Sequence, residues 1–185
     1  EMVTSGQLIT LKEWLAALPP DIATSRPSLL SLQAAIMIGT GEVNQGILLL
    51  NEVIERLEES GDDIETLALS LIRRAFAQRS TGNYDESQAD SRTTIDMLND
   101  HPELGLIRAE AMRVSGTTYY FQGELQKGLS TLKQSLRLFE SYNDQQNIPK
   151  LLFNVGVINL ALGNYVRAEM MYRDALEDWQ SGGNL

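Results

Sequence analysis

Cysteine is absent from this 185-residue chain and histidine occurs once, as His101. The first absence excludes disulfide frameworks, thiolate-held zinc, iron–sulfur clusters and thiol catalysis. The second excludes multi-histidine metal sites and leaves a Ser/His/Asp triad only one residue to be built around. Basic residues are scarce as well: 15 Lys plus Arg stand against 25 Asp plus Glu, a net charge of −10. Such a field repels phosphate backbones and anionic lipid, so the segment is not expected to bind nucleic acid or a membrane surface directly. Long apolar runs are missing too. The longest charge-free stretches, Pro27 to Gly41 and Leu151 to Val166, fall short of the roughly 20 residues that span a bilayer. Met2 to Gln7 lack the basic start and apolar block of a secretory signal. With no targeting segment and no cysteine, the expected compartment is the cytoplasm.

Hydrophobic residues make up 43% of the chain, enough for a sizeable core. The pattern they form is repetitive. Gly41-Glu-Val-Asn-Gln-Gly46, Gly82-Asn-Tyr-Asp-Glu-Ser87, Gly123-Glu-Leu-Gln-Lys-Gly128 and Gly163-Asn-Tyr-Val-Arg-Ala168 align without gaps, their leading glycines 41, 41 and 40 residues apart. Two residues after each glycine stands an apolar side chain (Val43, Tyr84, Leu125, Tyr165), and five after it a small one. Seven residues before it is another small residue: Ala34, Ala75, Gly116 or Gly156. Thirteen residues after it comes Ile54, Ile95, Leu136 or Leu176. This is the signature of a helix, a tight turn and an antiparallel helix. The glycine supplies positive φ at the turn, and the small residues let the two backbones approach.

Spacings of three and four within the segments agree. Leu129, Leu132, Leu136 and Phe139 line one stripe, and Ile107, Ala111, Val114, Thr117 and Phe121 another. Nothing alternates with period two for long enough to make a strand. The expected helix pairs are 27–39 with 43–60, 62–80 with 84–99, 102–121 with 125–141, and 148–162 with 165–181. Asp62 with Glu65, and Asp100 with Glu103, have the spacing of capping boxes at two of the starts. Residues 1–25, with Gly6, Leu8, Leu11, Trp14 and Leu18 at turn and second-helix positions, fit half of an earlier repeat. The chain is thus expected to be one repeat domain over 1–185, divided into 1–25, 26–61, 62–100, 101–144 and 145–185. Gly182 and Gly183 read as the stop before a further helix, which makes the chain a fragment of a longer array.

The arrangement resembles the tetratricopeptide repeat (TPR), most clearly from Gly163-Asn-Tyr165 through Ala168, Tyr172, Ala175 and Leu176. Its period of 40 to 41 exceeds the family's usual 34 or so. The resemblance implies an all-α fold, a right-handed superhelical α-solenoid of stacked antiparallel hairpins. Trp14-Leu-Ala-Ala-Leu-Pro-Pro20 followed by Ser25-Arg-Pro-Ser-Leu-Leu30 resembles the helical-repeat region of large LuxR-family, MalT-like bacterial transcriptional activators. That second resemblance implies a non-catalytic regulatory module that binds a protein partner or a small inducer and controls assembly. A stand-alone TPR adaptor or scaffold is the alternative. The phosphate-cradling Gly-x-x-x-x-Gly-Lys-Ser/Thr loop does not occur, so the segment is not expected to hydrolyse ATP, and no cofactor or metal is expected.

In TPR arrays the first helices line the concave groove. Counting back ten, six and three residues from each turn glycine gives Ser31, Ala35 and Ile38; Ile72, Phe76 and Arg79; Arg113, Thr117 and Tyr120; and Phe153, Val157 and Leu160. By resemblance, Ile72, Phe76, Arg79, Arg113, Thr117, Tyr120, Phe153 and Val157 form the candidate groove. Its arginines either meet a ligand carboxylate, phosphate or sugar or pair with neighbouring acids. His101 reads as a turn residue. From Tyr165 to Trp179 the last segment is apolar over more than one face, and self-association through 165–181 is the expectation.

Overall fold

The computed structural model describes residues 5–181, all of whose regular elements are helical. The chain divides into two compact units, Glu1–Glu86 and Ser87–Leu185.

In the first unit, α1 (Ser5–Ala16) and the short α2 (Pro20–Ser25) pack on α3 (Pro27–Gly39), which pairs with α4 (Val43–Ser60); α5 (Ile64–Ser80) packs on both α3 and α4. Pro27 opens α3 after an extended Arg26, the position where its fixed φ and missing N–H cost nothing. Leu30, Val53 and Leu57 form the core with Leu49 and Leu67 against it. The start of α5 differs from expectation. Asp63, not Asp62, is the cap, its carboxylate accepting from the Thr66 N–H at 2.9 Å. Gly6 lies inside α1 rather than at a turn.

The second unit holds most of α6 (Tyr84–Met97), a 3-10 turn (Pro102–Leu104), α7 (Gly105–Phe121), α8 (Leu125–Ser141), α9 (Ile148–Ala161) and α10 (Tyr165–Ser181). Buried polar side chains join α6 to α7. Gln88 Nε2 donates to the Ser115 carbonyl at 3.0 Å, Ser115 Oγ donates back to Gln88 Oε1 at 2.7 Å, and Ser87 Oγ meets Thr118 Oγ1 at 3.0 Å. The main core gathers Leu129, Leu132, Phe139, Leu151, Leu152, Val155 and Ile158 from α8 and α9. The capping box expected at Asp100 and Glu103 does not form. Glu103 instead bonds His101 Nδ1 at 2.9 Å, and that hydrogen bond holds its carboxyl below the usual value.

All four turn glycines have positive φ: Gly41 (95°), Gly82 (85°), Gly123 (79°) and Gly163 (76°). The residue after each donates its N–H five positions back, Glu42 to Met37, Asn83 to Gln78, Glu124 to Tyr119 and Asn164 to Asn159, at 2.8 to 2.9 Å. That six-to-one bond is the Schellman closure, and one device therefore ends every first helix. Asn143, φ 52°, performs the same closure after α8, with Asp144 donating to Phe139 at 3.1 Å. The small residues around the turns also act as expected. A Cβ on Gly128 would lie 2.8 Å from the Gly116 carbonyl oxygen, so α7 and α8 touch backbone to backbone. Gly182 and Gly183 lie outside the described residues.

Candidate partner-binding surface

The candidate residues fall in two sets, one in each unit. On α5, Ile72 is buried, and Phe76 is partly exposed with the Arg79 guanidinium 5.0 Å over its ring. That cation–π contact already engages Arg79.

The second set occupies two packed helices, α7 and α9. Arg113, Thr117 and Tyr120 recur at four and three residues along α7, so they share one face and all are partly exposed. Thr117 Oγ1 donates to the carbonyls of Arg113 and Val114 at 2.9 Å, so its hydroxyl is engaged by its own helix. Tyr120 packs at the edge of the main core and meets Phe121 edge-on at 5.3 Å. Along α9, Phe153, Val157 and Leu160 recur with the same spacing. Phe153 is 45% and Leu160 49% exposed, large apolar side chains left uncovered beside a well-filled core.

Arg113 is paired. Its Nε and Nη2 donate to the two Glu110 carboxylate oxygens at 2.7 and 2.5 Å, the bidentate fork that guanidinium geometry favours. Burial opposes ionisation of Glu110, but the charge and hydrogen bonds of Arg113, with Lys150 adding to the field, hold its carboxyl below the ordinary range. Burial works against the guanidinium too, and Glu110 outweighs it, raising Arg113. On α7 the surface therefore offers a neutralised polar pair rather than a bare cation.

The repeat register identifies neighbours that the groove count passed over. Phe153 meets Tyr172 at 5.5 Å and Trp179 at 6.3 Å, ring to ring. Burial and the nearby Tyr120 push the Tyr172 hydroxyl upward in pKa. Trp179 lies 40 residues after Phe139, which is 1% exposed, and like Phe139 it packs against the core. The sequence thus carried a signal for Trp179: its place in the register is a core position. Among the described residues no group of three His, Asp or Glu side chains lies close enough to hold a metal ion, and no helix is long and apolar enough to cross a membrane.

Residues 107–181 match the family model described as tetratricopeptide repeat. No curated protein sequence matches the chain. Among solved structures, the chain superposes on the apo form of RapI with a TM-score of 0.78 at 12% identity, covering 97% of this chain and 64% of that one. It superposes on a Rap protein complexed with Competence and Sporulation Factor with a TM-score of 0.79 at 14% identity, over 95% of this chain and 48% of that one. A putative kinesin light chain from Podosopora anserina with nearly identical TPR-like repeats gives 0.67 at 14% identity, over 97% and 90%. The chain spans less than two thirds of the two Rap structures. The tetratricopeptide repeat is thus matched over residues 107–181, and the chain has the all-α, TPR-like helical-repeat fold.

Proposed function

We propose that the chain is a non-catalytic interaction module that takes a protein or peptide segment along the α7–α9 stripe of the second unit. One observation carries the reading. Phe153, Val157 and Leu160 form a partly exposed apolar row on α9, and Arg113, Thr117 and Tyr120 recur at the same spacing, also partly exposed, on α7, which packs on α9. An apolar row anchors a segment by burial, and the paired charges of Arg113 and Glu110 fix its register through hydrogen bonds. The TPR match over this same region supports a protein-binding role, as does a fold shared with a Rap protein complexed with Competence and Sporulation Factor.

The parent protein is proposed to be a bacterial transcriptional regulator of the LuxR-like, MalT-like kind, the module sensing an effector and controlling assembly. That part of the reading rests on the residues of 14–20 and 25–30. They stand in α1, α2, their junction and the start of α3, with Trp14 67% exposed.

The test is selection of binders from a random peptide library displayed on phage, followed by titration calorimetry. Selected peptides are expected to bind Phe153→Ala about 10-fold or more weakly, as for loss of an aromatic anchor. Arg113→Ala should weaken them less, because its loss also frees Glu110 to accept from the peptide. Peptides that bind both variants as tightly as the parent chain would refute the assignment.

A further inference from the structure

We infer that α10 is a self-association surface, on which a second copy of this chain docks its own α10 antiparallel. This goes beyond the peptide-binding reading and does not depend on it.

The starting point is a groove of about 430 Å³ bounded by Leu160 at the end of α9 and by Tyr165, Ala168, Tyr172 and Leu176 of α10. Each α10 residue has a counterpart 40 positions earlier on α8: Leu125, Gly128, Leu132 and Leu136. That earlier row is where α9 sits. A Cβ on Gly128 would be 3.0 Å from Ile158 Cδ1, while Leu132 is fully buried in the α8–α9 core and Leu125 and Leu136 pack at its edge. The α10 groove is thus a helix seat of the same design. Its rim stays open: Tyr165 is 68% exposed and Leu176 46%, with Val166 at 73% and Met170 at 53% next round the helix.

One position breaks the correspondence and selects the occupant. Leu129, buried in the α8 seat, is replaced at the equivalent place by Glu169, whose carboxylate accepts from Arg173 Nη2 at 2.7 Å. A helix with a wholly apolar face like that of α9 would bury this carboxylate without an external partner, which is costly. A second α10 does not. Tyr165, Glu169, Tyr172 and Leu176 recur at spacings of four, three and four. An antiparallel pairing centred between residues 170 and 171 sets Tyr165 against the partner's Leu176 and brings Glu169 within one residue of the partner's Arg173. Both ion pairs become a four-charge cluster, and the seat itself, with Glu169 against Arg173, is neutral in a chain of net charge −10. The surface is self-complementary, as a two-fold interface requires.

Sedimentation equilibrium of the 185-residue chain across a concentration series tests this. The expected result is a mass rising from 20.6 kDa toward twice that value. The double variant Tyr165→Glu/Leu176→Glu should remain at 20.6 kDa with unchanged helicity, both side chains being largely exposed in one copy. Glu169→Arg and Arg173→Glu should each weaken association about tenfold, and an equimolar mixture of the two should recover it as the mixed dimer. A parent chain that stays monomeric throughout overturns the inference. So does a dimer that survives Tyr165→Glu/Leu176→Glu, or a mixture no tighter than its components.

Discussion

Gly128→Ala isolates the backbone-to-backbone contact on which the helix pairing of the second unit depends. The added methyl would sit 2.8 Å from the Gly116 carbonyl oxygen, 3.0 Å from Ile158 Cδ1 and 3.4 Å from Tyr119 Cβ. The first neighbour is main chain, so relief requires α7 to move as a body. Overpacking of this kind costs about 1–3 kcal/mol, while alanine in place of glycine inside a helix returns about 0.8–1 kcal/mol. Because the obstacle is main chain, the cost falls in the upper half of that range, about 2–3 kcal/mol, and a net loss of about 1–2 kcal/mol is expected, lowering the thermal midpoint by about 2–4 °C for each kcal/mol in a protein of this size. Gly123→Ala serves as the control, since its Cβ meets nothing within 4 Å but φ is 79°. Its cost of about 1–2 kcal/mol is conformational, because a Cβ in the left-handed region crowds the following carbonyl. Asparagine separates the two mechanisms. It tolerates the left-handed region, so Gly123→Asn should be milder than Gly123→Ala, whereas Gly128→Asn should be worse than Gly128→Ala. Thermal and guanidinium unfolding followed by far-ultraviolet circular dichroism reads all four. A Gly128→Ala variant as stable as the parent, or more so, would refute the close approach of α7 and α8.

Glu110→Gln should lower the stability of the second unit by about 1–3 kcal/mol at neutral pH, the cost of leaving a largely buried guanidinium without its carboxylate. The folded carboxyl titrates below its ordinary value of 4.5, so the stabilisation is complete above that pH and is lost as pH falls through the lower folded value; denaturant titrations should show parent and variant converging in acid. In the first unit, Arg73 Nη1 donates to Ser31 Oγ at 2.7 Å, Ser31 donates to Ser70 Oγ at 2.7 Å, and Ser70 donates to the Thr66 carbonyl at 2.7 Å. Ser31→Ala removes the acceptor of a guanidinium that burial already disfavours and should cost about 1–3 kcal/mol. Adding Arg73→Met should recover much of that loss in the same unfolding assay, and failure to recover it would show that Arg73 does not need Ser31. Asp63→Ala deletes the cap of α5 and should cost about 1 kcal/mol, with Asp62→Ala close to neutral.

Most of the fold was legible because its decisive constraints are local and one-dimensional. A turn that needs positive φ needs glycine, and a pair of helices in backbone contact needs small residues at fixed distances from it. Gly41, Gly82, Gly123 and Gly163 with their flanking small residues therefore placed the helix pairs to within three residues. Adjacent choices were harder. Asp62 and Asp63 are chemically alike, and only backbone geometry decides which carboxylate reaches the Thr66 N–H. His101 competes for Glu103 and dissolves the capping box expected beside it. Partners far apart in sequence left no pattern: Ser31, Ser70 and Arg73 are joined across 39 and 42 residues. On the candidate surface, helical spacing grouped Arg113 with Thr117 and Tyr120. That Arg113 is held by Glu110 depends on rotamers that spacing alone does not choose. The apolar surplus of α10 divides between two surfaces: Ala168 and Ala175 are buried and Trp179 packs on the core, while Tyr165, Val166, Met170 and Leu176 stay outside.

Hydrogen–deuterium exchange with and without a display-selected peptide bears most directly on the central claim, that the α7–α9 stripe is where a partner segment binds. Slowed exchange is expected in peptides covering Gly105–Phe121 and Ile148–Ala161, and it should be abolished by Phe153→Ala at the same peptide concentration. Protection confined to α8, whose outward face carries Lys133 and Arg137, or protection that persists in Phe153→Ala, would contradict the account.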